Sequence, residues 1–197
     1  MTKYNKYTQY KTVDIKQRDW PNNSLNKCPI WCSVDLRDGN QALAEPMDSA
    51  RKMKFFKKLI EVGYKEIEVG FPSASDTDFN FIRELINDGH IPDDVTIQVL
   101  TQSREELIIK TIDSLKGSKN AIIHLYNSTS TLQRKVVFKE DMNGVKKIAT
   151  DGAKIISDNI GILNNTNVRL EYSPESFTGT ELPYALEVCE EVLDVWE

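Results

Sequence analysis

Short apolar runs alternate with amphipathic helical patterns along this chain, and this alternation limits the folds that it can adopt. The runs predicted to be strands are residues 31–36, 65–69, 95–100, 120–125 and 168–172. The patterns predicted to be helices are residues 49–62, 76–87, 104–115, 129–137, 141–157 and 180–195. Helices between short strands imply right-handed crossovers in a parallel sheet. The sequence therefore predicts an α/β protein made of five consecutive strand–helix units.

The glycine pattern narrows the choice among α/β folds. None of the nine glycines belongs to a G-x-G-x-x-G or P-loop pattern, so a nucleotide-binding Rossmann sheet loses its main support. A TIM-type (β/α)8 barrel, or part of one, remains. A complete barrel usually needs about 250 residues, whereas this chain has 197.

Composition excludes several classes of partner. The formal net charge is −5 and no basic block is present, so we expect no nucleic-acid partner. No apolar run approaches the roughly 20 residues of a membrane span, and residues 1–16 contain no apolar signal-peptide core. Three cysteines, an odd number, favour a reduced, cytoplasmic protein. A Cys/His zinc site is not expected, because no CxxC occurs and the two histidines, His90 and His124, lie far apart.

The chain is predicted to divide near residue 30. Residues 1–30 show no clear period, and residues 19–24 are rich in turn formers. We interpret residues 1–30 as an extended arm anchored by Trp20 and Ile30, with a frayed tail as the alternative for the first dozen residues. Residues 31–197 are predicted to form the partial barrel domain.

The most polar stretch of the chain, residues 35–41, follows the first predicted strand. Strict alternation places two sets of side chains on opposite faces: Cys32, Val34 and Leu36 against Ser33, Asp35 and Arg37. No packing need explains two carboxylates, a guanidinium and two amides within seven residues. The alternative is a solvated loop with local Asx turns.

Other strands carry polar residues near their carboxyl ends. Glu68 alternates with Ile67 and Val69, so it is predicted to point into the barrel. On the last strand three polar residues share one parity: Glu171, Ser173 and Glu175. Since a TIM barrel keeps its chemistry at the carboxyl ends of its strands, these side chains and His124 would meet at one mouth. For each residue alone, a salt-bridged or solvated position is the alternative; we favour it for Glu171 and favour function for Arg37, Asp38 and Glu175.

Taken together and in order, these motifs resemble the 2-isopropylmalate synthases. Those enzymes belong to a wider family of metal-dependent Claisen-condensing enzymes and lyases built on a TIM barrel. The resemblance covers roughly residues 18–197, and the matching stretches are residues 18–21, 35–47, 66–74, 124–130 and 171–181. It implies the first five βα units of the barrel.

The resemblance also implies a reaction. The family joins acetyl-CoA to 3-methyl-2-oxobutanoate, giving 2-isopropylmalate and free CoA in leucine biosynthesis, which makes it an acyltransferase. A divalent cation (Mg, Mn or Zn) chelates the keto acid and acts as a Lewis acid at its carbonyl. By resemblance Asp38 is a metal ligand, Arg37 stabilises the oxygen that gains charge, and Glu175 belongs to the acid/base network.

Further roles follow from the same resemblance. His124, Glu68 and Ser173 are expected to bind or support the substrate, as is Arg37; the alternative for His124 is a core histidine capped by a backbone carbonyl. Asn40 and Gln41 are assigned to shaping the metal loop. Three small residues either leave room for substrate or begin a helix: Ser73, Ala74 and Ser75.

The chain departs from the family pattern at the metal. The family's other ligands form a His-x-His pair, whose i and i+2 side chains face the same way on a strand, and no such pair occurs here. We therefore expect a fragment of such an enzyme, which is a homo-oligomer at full length; the alternative is that two chains complete one site. Strands at open edges invite pairing, so we expect the isolated chain to be oligomeric or aggregation-prone. The competing functions are homocitrate synthase, citramalate synthase, a hydroxymethylglutaryl-CoA lyase and a non-catalytic fragment.

Overall fold

A single parallel sheet forms the centre of the protein. The computed structural model describes residues 28–196. Five strands lie side by side in chain order, each parallel to the next. Their bounds are β1 (Cys32–Ser33), β2 (Glu66–Gly70), β3 (Thr96–Gln102), β4 (Asn120–Ser128) and β5 (Asn167–Glu175).

Helices connect the strands. The α-helices are α1 (Ser49–Val62), α2 (Asp76–Asn87), α3 (Glu105–Ser114), α4 (Thr131–Gln133), α5 (Met142–Asn159) and α6 (Leu182–Trp196). Two π-helical segments are Asp35–Gly39 and Arg134–Phe138, and two 3₁₀ turns are Ile160–Leu163 and Phe177–Gly179. Within the described residues, no helix is long and apolar enough to cross a bilayer.

The strand order identifies the architecture. A doubly wound sheet reverses its strand order and carries helices on both faces, whereas here the order never reverses. Right-handed crossovers between successive neighbours place all the helices on one face. The other face becomes the lumen of a TIM-type half-barrel, which confirms the predicted fold of five βα units.

The core lies between the sheet and the helices. Alternate residues of β2 and β3 face the helices and are fully buried: Ile67, Val69, Ile97 and Val99. Phe56 of α1 and Ile82 of α2 belong to the same cluster. The stripes predicted from the sequence on these two helices therefore face the core, although Phe79 is only partly buried.

Helix ends follow the predicted signals in most places. Asp48 caps α1 by accepting a hydrogen bond from the Arg51 N–H (2.8 Å), and Gly63 ends it in the left-handed region with φ 109°, where glycine has no steric penalty. The predicted cap of α3 is wrong. Ser103 instead donates its hydroxyl proton to the Ile148 carbonyl of α5 (2.5 Å), and Arg104 occupies the cap position.

One ion pair lies inside the packed layer between α1 and α2. Lys52 is fully buried, forms an ion pair with Asp78, and lies 5.5 Å from the centre of the Phe81 ring. Asp78 also accepts a hydrogen bond from the Phe71 N–H (2.8 Å). A Cβ on Gly70 would come within 2.8 Å of the Asp78 carboxylate, which explains the glycine at the end of β2.

The structure corrects the first predicted strand. β1 contains only two residues, and the chain then enters the π-helical turn Asp35–Gly39. The predicted alternation from Val34 to Arg37 is therefore wrong: Val34 is 44% exposed while Leu36 is fully buried. The Ser33 hydroxyl donates to the Asp35 carboxylate (2.6 Å). Such local side-chain bonds compete with strand pairing, and they close the turn.

Two other predictions concern the helix over residues 129–137 and the N-terminal arm. The single helix predicted over residues 129–137 is a short α-helix followed by a π-helical segment, and it begins at Thr131. The predicted arm, with Trp20 as an anchor, lies almost wholly outside the described residues and stays a prediction. Ile30, its other predicted anchor, is 68% exposed.

Candidate active site

Polar side chains line the lumen face of the sheet. In β2 to β5 alternate residues belong to the helix-side core, such as Ile67, Ile123 and Leu170, while the residues between them point to the opposite face. The lumen-facing polar residues are Glu66, Glu68, Gln98, His124, Tyr126, Ser128, Arg169, Glu171, Ser173 and Glu175. The strand parity predicted for Glu68 and for the acidic residues of β5 is therefore confirmed.

His124 is the centre of this polar face. Its Nδ1 lies 2.8 Å from the Glu68 carboxylate, and its Nε2 lies 2.8 Å from the Ser173 hydroxyl. Glu171 lies 3.4 Å from Nε2. The partners of His124 are thus side chains from two other strands rather than the backbone carbonyl of the alternative interpretation.

The hydrogen-bond pattern around His124 selects the roles of its two nitrogens. Glu68 is 1% exposed, and a carboxylate accepts hydrogen bonds, so Nδ1 donates to it. The Gln98 amide nitrogen donates to the same carboxylate oxygen at 3.3 Å. The same Gln98 nitrogen also lies 3.3 Å from Nδ1 of His124. Since both nitrogens donate to Glu68, this is a contact between two donors. In the neutral ring Nε2 is left to accept from Ser173.

Arg37 and Asp38 form an ion pair in the turn after β1. The Arg37 side chain is 19% exposed and that of Asp38 is 59% exposed. Among the described residues, the Arg37 Nε is a buried nitrogen without a hydrogen-bond partner. A preorganised donor of this kind suits an oxygen that gains negative charge.

Glu175 ends β5 and faces Ser128 of β4 in the register of the two strands. Its carboxylate accepts a hydrogen bond from the Ser128 hydroxyl. Burial raises the pKa of Tyr126; the negative charge of Glu175 raises it further, and the positive charge of Arg37 lowers it. The Ser128–Glu175 hydrogen bond thus joins the ends of β4 and β5, and the charge of Arg37 in the first turn also acts on Tyr126.

A cleft of about 800 Å³ opens beside the first turn. Arg37, Gln41 and Phe71 line it, together with Ala74 and Ser75. This leaves open space beside two of the three small residues predicted to make room for substrate.

The loops around this cleft have their own supports. Asn40 shapes the loop by accepting from the Met47 N–H (2.6 Å). Ser75 caps α2 by accepting from the Asp78 N–H (3.4 Å), which confirms the alternative that it begins a helix. Ser73 instead accepts a long hydrogen bond from Thr111 (3.5 Å).

The donor set does not make a complete metal site. Among the described residues, no three His, Cys, Asp or Glu side chains lie close enough together to hold a metal ion. Asp38 supplies one exposed carboxylate beside Arg37. A divalent cation in this region would therefore need donors in addition to Asp38, since one carboxylate does not fill the coordination shell of such a cation.

Several residues near the site escaped the sequence interpretation. Gln98 and Tyr126 share the strand parity of their lumen-facing neighbours, so a parity argument extended to β3 and β4 could have found them. Arg134 could not have been found in this way, because it lies in a π-helical segment. It is 7% exposed and contacts Glu181.

The fold and the site define a class of protein: a TIM-type half-barrel whose lumen face and strand ends carry a polar site. A family model described as HMGL-like matches residues 28–195. This chain belongs to the HMGL-like family, which is a family of enzymes.

Curated relatives are more specific. The chain is 62% identical to a 2-isopropylmalate synthase of Parafrankia sp. (strain EAN1pec), over 97% of this chain and 34% of the relative. It is 58% identical to the 2-isopropylmalate synthase of Clostridium acetobutylicum, over 98% of this chain and 35% of the relative. It is 54% identical to the 2-isopropylmalate synthase of Pseudomonas putida (strain GB-1), over 97% of this chain and 34% of the relative. The resemblance found in the sequence is thus confirmed, and the chain spans about a third of the length of these relatives.

Proposed function

We propose that this chain provides part of the catalytic barrel of a 2-isopropylmalate synthase. The reaction would join acetyl-CoA, 3-methyl-2-oxobutanoate and water to give 2-isopropylmalate and CoA, an acyl transfer in leucine biosynthesis. The observation that carries the proposal is the identity of 54–62% with enzymes of this name over nearly the whole chain. The arrangement of polar groups on the lumen face supports it.

Arg37 is proposed to bind the ketone oxygen of the keto acid. That oxygen gains negative charge as the new carbon–carbon bond forms. A guanidinium donor stabilises such a charge by charge-assisted hydrogen bonds. The unpartnered Nε of Arg37 supports this role.

His124 and Ser173 are proposed to bind the keto acid on the lumen face of β4 and β5. They lie 2.8 Å apart, with Glu68 behind the ring at Nδ1. The Glu68 carboxylate would hold the ring in one tautomer and one orientation, so its role is to support His124.

Glu175 is proposed to take part in proton transfer from the methyl group of acetyl-CoA. Loss of that proton gives an enolate, which attacks the ketone. The Ser128 hydroxyl would hold the carboxylate in place. Hydrolysis of the thioester then releases CoA.

Asp38 is proposed as one ligand of a divalent cation (Mg, Mn or Zn). The described residues do not complete such a site, so the cation would need further donors beside Asp38. A cytoplasmic location and a homo-oligomer of the full-length enzyme remain part of the proposal.

A chimera tests this function. Residues 28–195 would replace the matching segment of the Clostridium acetobutylicum relative, and release of the CoA thiol would be followed with 3-methyl-2-oxobutanoate, pyruvate or 2-oxoglutarate. We expect release with 3-methyl-2-oxobutanoate. Arg37→Ala should lower it by at least about a hundredfold, the usual effect of removing an oxyanion donor. Asp38→Ala should also lower it, because it removes the proposed cation ligand.

Asp35→Asn is the matched control. It changes a carboxylate in the same turn whose partner is Ser33, and it should retain most activity. A folded chimera that releases no CoA, or that prefers pyruvate or 2-oxoglutarate, contradicts the proposal. The same assay on the isolated chain shows whether it is active without the rest of the barrel.

A further inference from the structure

Arg134 joins two segments that follow neighbouring strands. It lies after β4 and is 7% exposed. Its two terminal nitrogens donate to the two carboxylate oxygens of Glu181, at 2.9 and 2.7 Å, and Glu181 precedes α6. The guanidinium also lies 4.9 Å from the centre of the Tyr184 ring. A two-point pair of this kind fixes geometry as well as charge.

Thr129 connects Arg134 to Glu175. Its carbonyl accepts a hydrogen bond from Arg134 Nη1 (2.7 Å), and its N–H donates to the Glu175 carbonyl (3.1 Å). The Thr129 and Thr180 hydroxyls lie 2.8 Å apart, and both residues are buried. One short chain of hydrogen bonds therefore runs from the guanidinium to the backbone of Glu175.

The residue after Glu175 is held in an unfavourable conformation. Ser176 has φ 59° and ψ 39°, the left-handed region that residues with a Cβ rarely adopt. Its carbonyl accepts from the Gly179 N–H (2.9 Å) and from the Thr180 hydroxyl (3.2 Å). Such a conformation persists where the surrounding contacts impose it, so these contacts set the direction in which the chain leaves Glu175.

We propose that Arg134, through its pair with Glu181, is a positioning residue that holds Glu175 opposite Ser128 at the mouth of the half-barrel. The importance of that position for catalysis rests on the proposed function. That Arg134 holds Glu175 in this position does not depend on the proposed function.

Tyr126 can report the position of Glu175 without any substrate. The Glu175 charge raises the pKa of Tyr126 beyond the effect of burial. If Glu175 moves away, that pKa falls. Arg134 is not among the causes of the shift, and direct loss of a positive charge would act in the opposite direction.

The experiment is a double-mutant cycle read at Tyr126. The pKa of Tyr126 would be measured by NMR titration of ¹³C-labelled tyrosine, with Tyr126→Phe to assign the signal, in the unmodified chain, Arg134→Met, Glu175→Gln and the double variant. We expect each single variant to lower the pKa of Tyr126. Adding Arg134→Met to Glu175→Gln should lower it no further, because Arg134 acts through Glu175.

Two results overturn the proposal. One is an unchanged pKa of Tyr126 in Arg134→Met. The other is a fall in the pKa of Tyr126 that Arg134→Met causes equally in the unmodified chain and in Glu175→Gln. Such a fall would mean that the fold has loosened in general. Arg104→Met is the matched control, because it breaks an exposed pair with Glu106 and should leave Tyr126 unchanged.

Glu181→Gln provides the test if Arg134→Met does not fold. The Glu181 side chain is 44% exposed, so this variant removes the charge without opening a cavity. We expect it to lower the pKa of Tyr126 in the same direction. A Tyr126 titration identical to that of the unmodified chain would then overturn the proposal. Neither titration measures activity. The test of Arg134 as a positioning residue therefore stands even if the chimera fails to release CoA.

Discussion

Cys32 shows how the lumen acids act on a single residue. Its thiol lies 3.7 Å from the Gln98 amide oxygen. The amide nitrogen of Gln98 in turn contacts Glu68 and His124. Burial and, to a smaller extent, the charges of Glu68, Glu171 and Glu66 together raise the pKa of Cys32 to about 12. Since the thiolate is the reactive form, Cys32 should be an unreactive thiol despite its partial exposure.

We predict slow alkylation of Cys32. In a Cys28→Ser, Cys189→Ser variant, iodoacetamide at pH 8 should modify Cys32 at least about a hundredfold more slowly than free cysteine, because the thiolate fraction is far smaller. Glu68→Gln should increase the rate by lowering the pKa. Glu61→Gln, on the exposed side of α1, is the control. Modification of Cys32 as fast as free cysteine would contradict the electrostatic account.

Between helices α1 and α2 a buried ion pair stabilises the packing of secondary-structure elements. Lys52 and Asp78 pair across the two helices, and Asp78 also holds the Phe71 N–H where the chain leaves β2. Phe71 in turn packs edge-on against Tyr126, with 6.2 Å between ring centres. The ion pair therefore ties the helix layer to the loop that lines the cleft.

Replacing Lys52 by Met should strongly destabilise this corner. Breaking a buried pair leaves an uncompensated charge, so we expect the free energy of unfolding to fall by about 3 to 5 kcal/mol. Lys58→Met removes an exposed pair with Glu61 on the same helix and should change it by less than about 1 kcal/mol. Urea unfolding of the two variants measures both values. Equal losses would show that the Lys52 pair does not stabilise the corner more than an exposed one.

Over residues 28–196 the molecule presents open strand edges and exposed apolar groups. Within residues 28–196, β1 and β5 each have one neighbouring strand. Helix α6 buries one face against the core but exposes a second stripe: Leu182, Leu186 and Leu193 are 69%, 60% and 51% exposed. Unpaired strand edges and large apolar patches favour association.

We therefore predict that the isolated chain associates in solution. Size-exclusion chromatography with light scattering should give a mass above that of one chain. The double variant Leu186→Glu, Leu193→Glu should shift the distribution toward monomer, whereas Val62→Glu, at an exposed position on α1, should not. A sharp monomer peak for the unmodified chain would contradict this prediction.

The sequence by itself determined most of the elements and the faces of β2 and β5. Period-two alternation predicted that Glu68 and Ser173 lie on the face opposite the core, because strand side chains alternate strictly. Helix caps such as Asp48 and stops such as Gly63 were readable because they depend on neighbours along the chain. The sequence also carried the family resemblance, in motifs that keep their order.

Only the tertiary structure decided which distant side chains meet. Glu68 and His124 are 56 positions apart, and Arg134 and Glu181 are 47 apart, and no local pattern predicts such pairs. Where β1 ends was also visible only in the structure: the strand stops after two residues that pair with β2, and the Ser33–Asp35 hydrogen bond closes the turn. Local periodicity reports one element at a time, whereas the position of Glu175 depends on contacts between elements that come together only when the sheet curves.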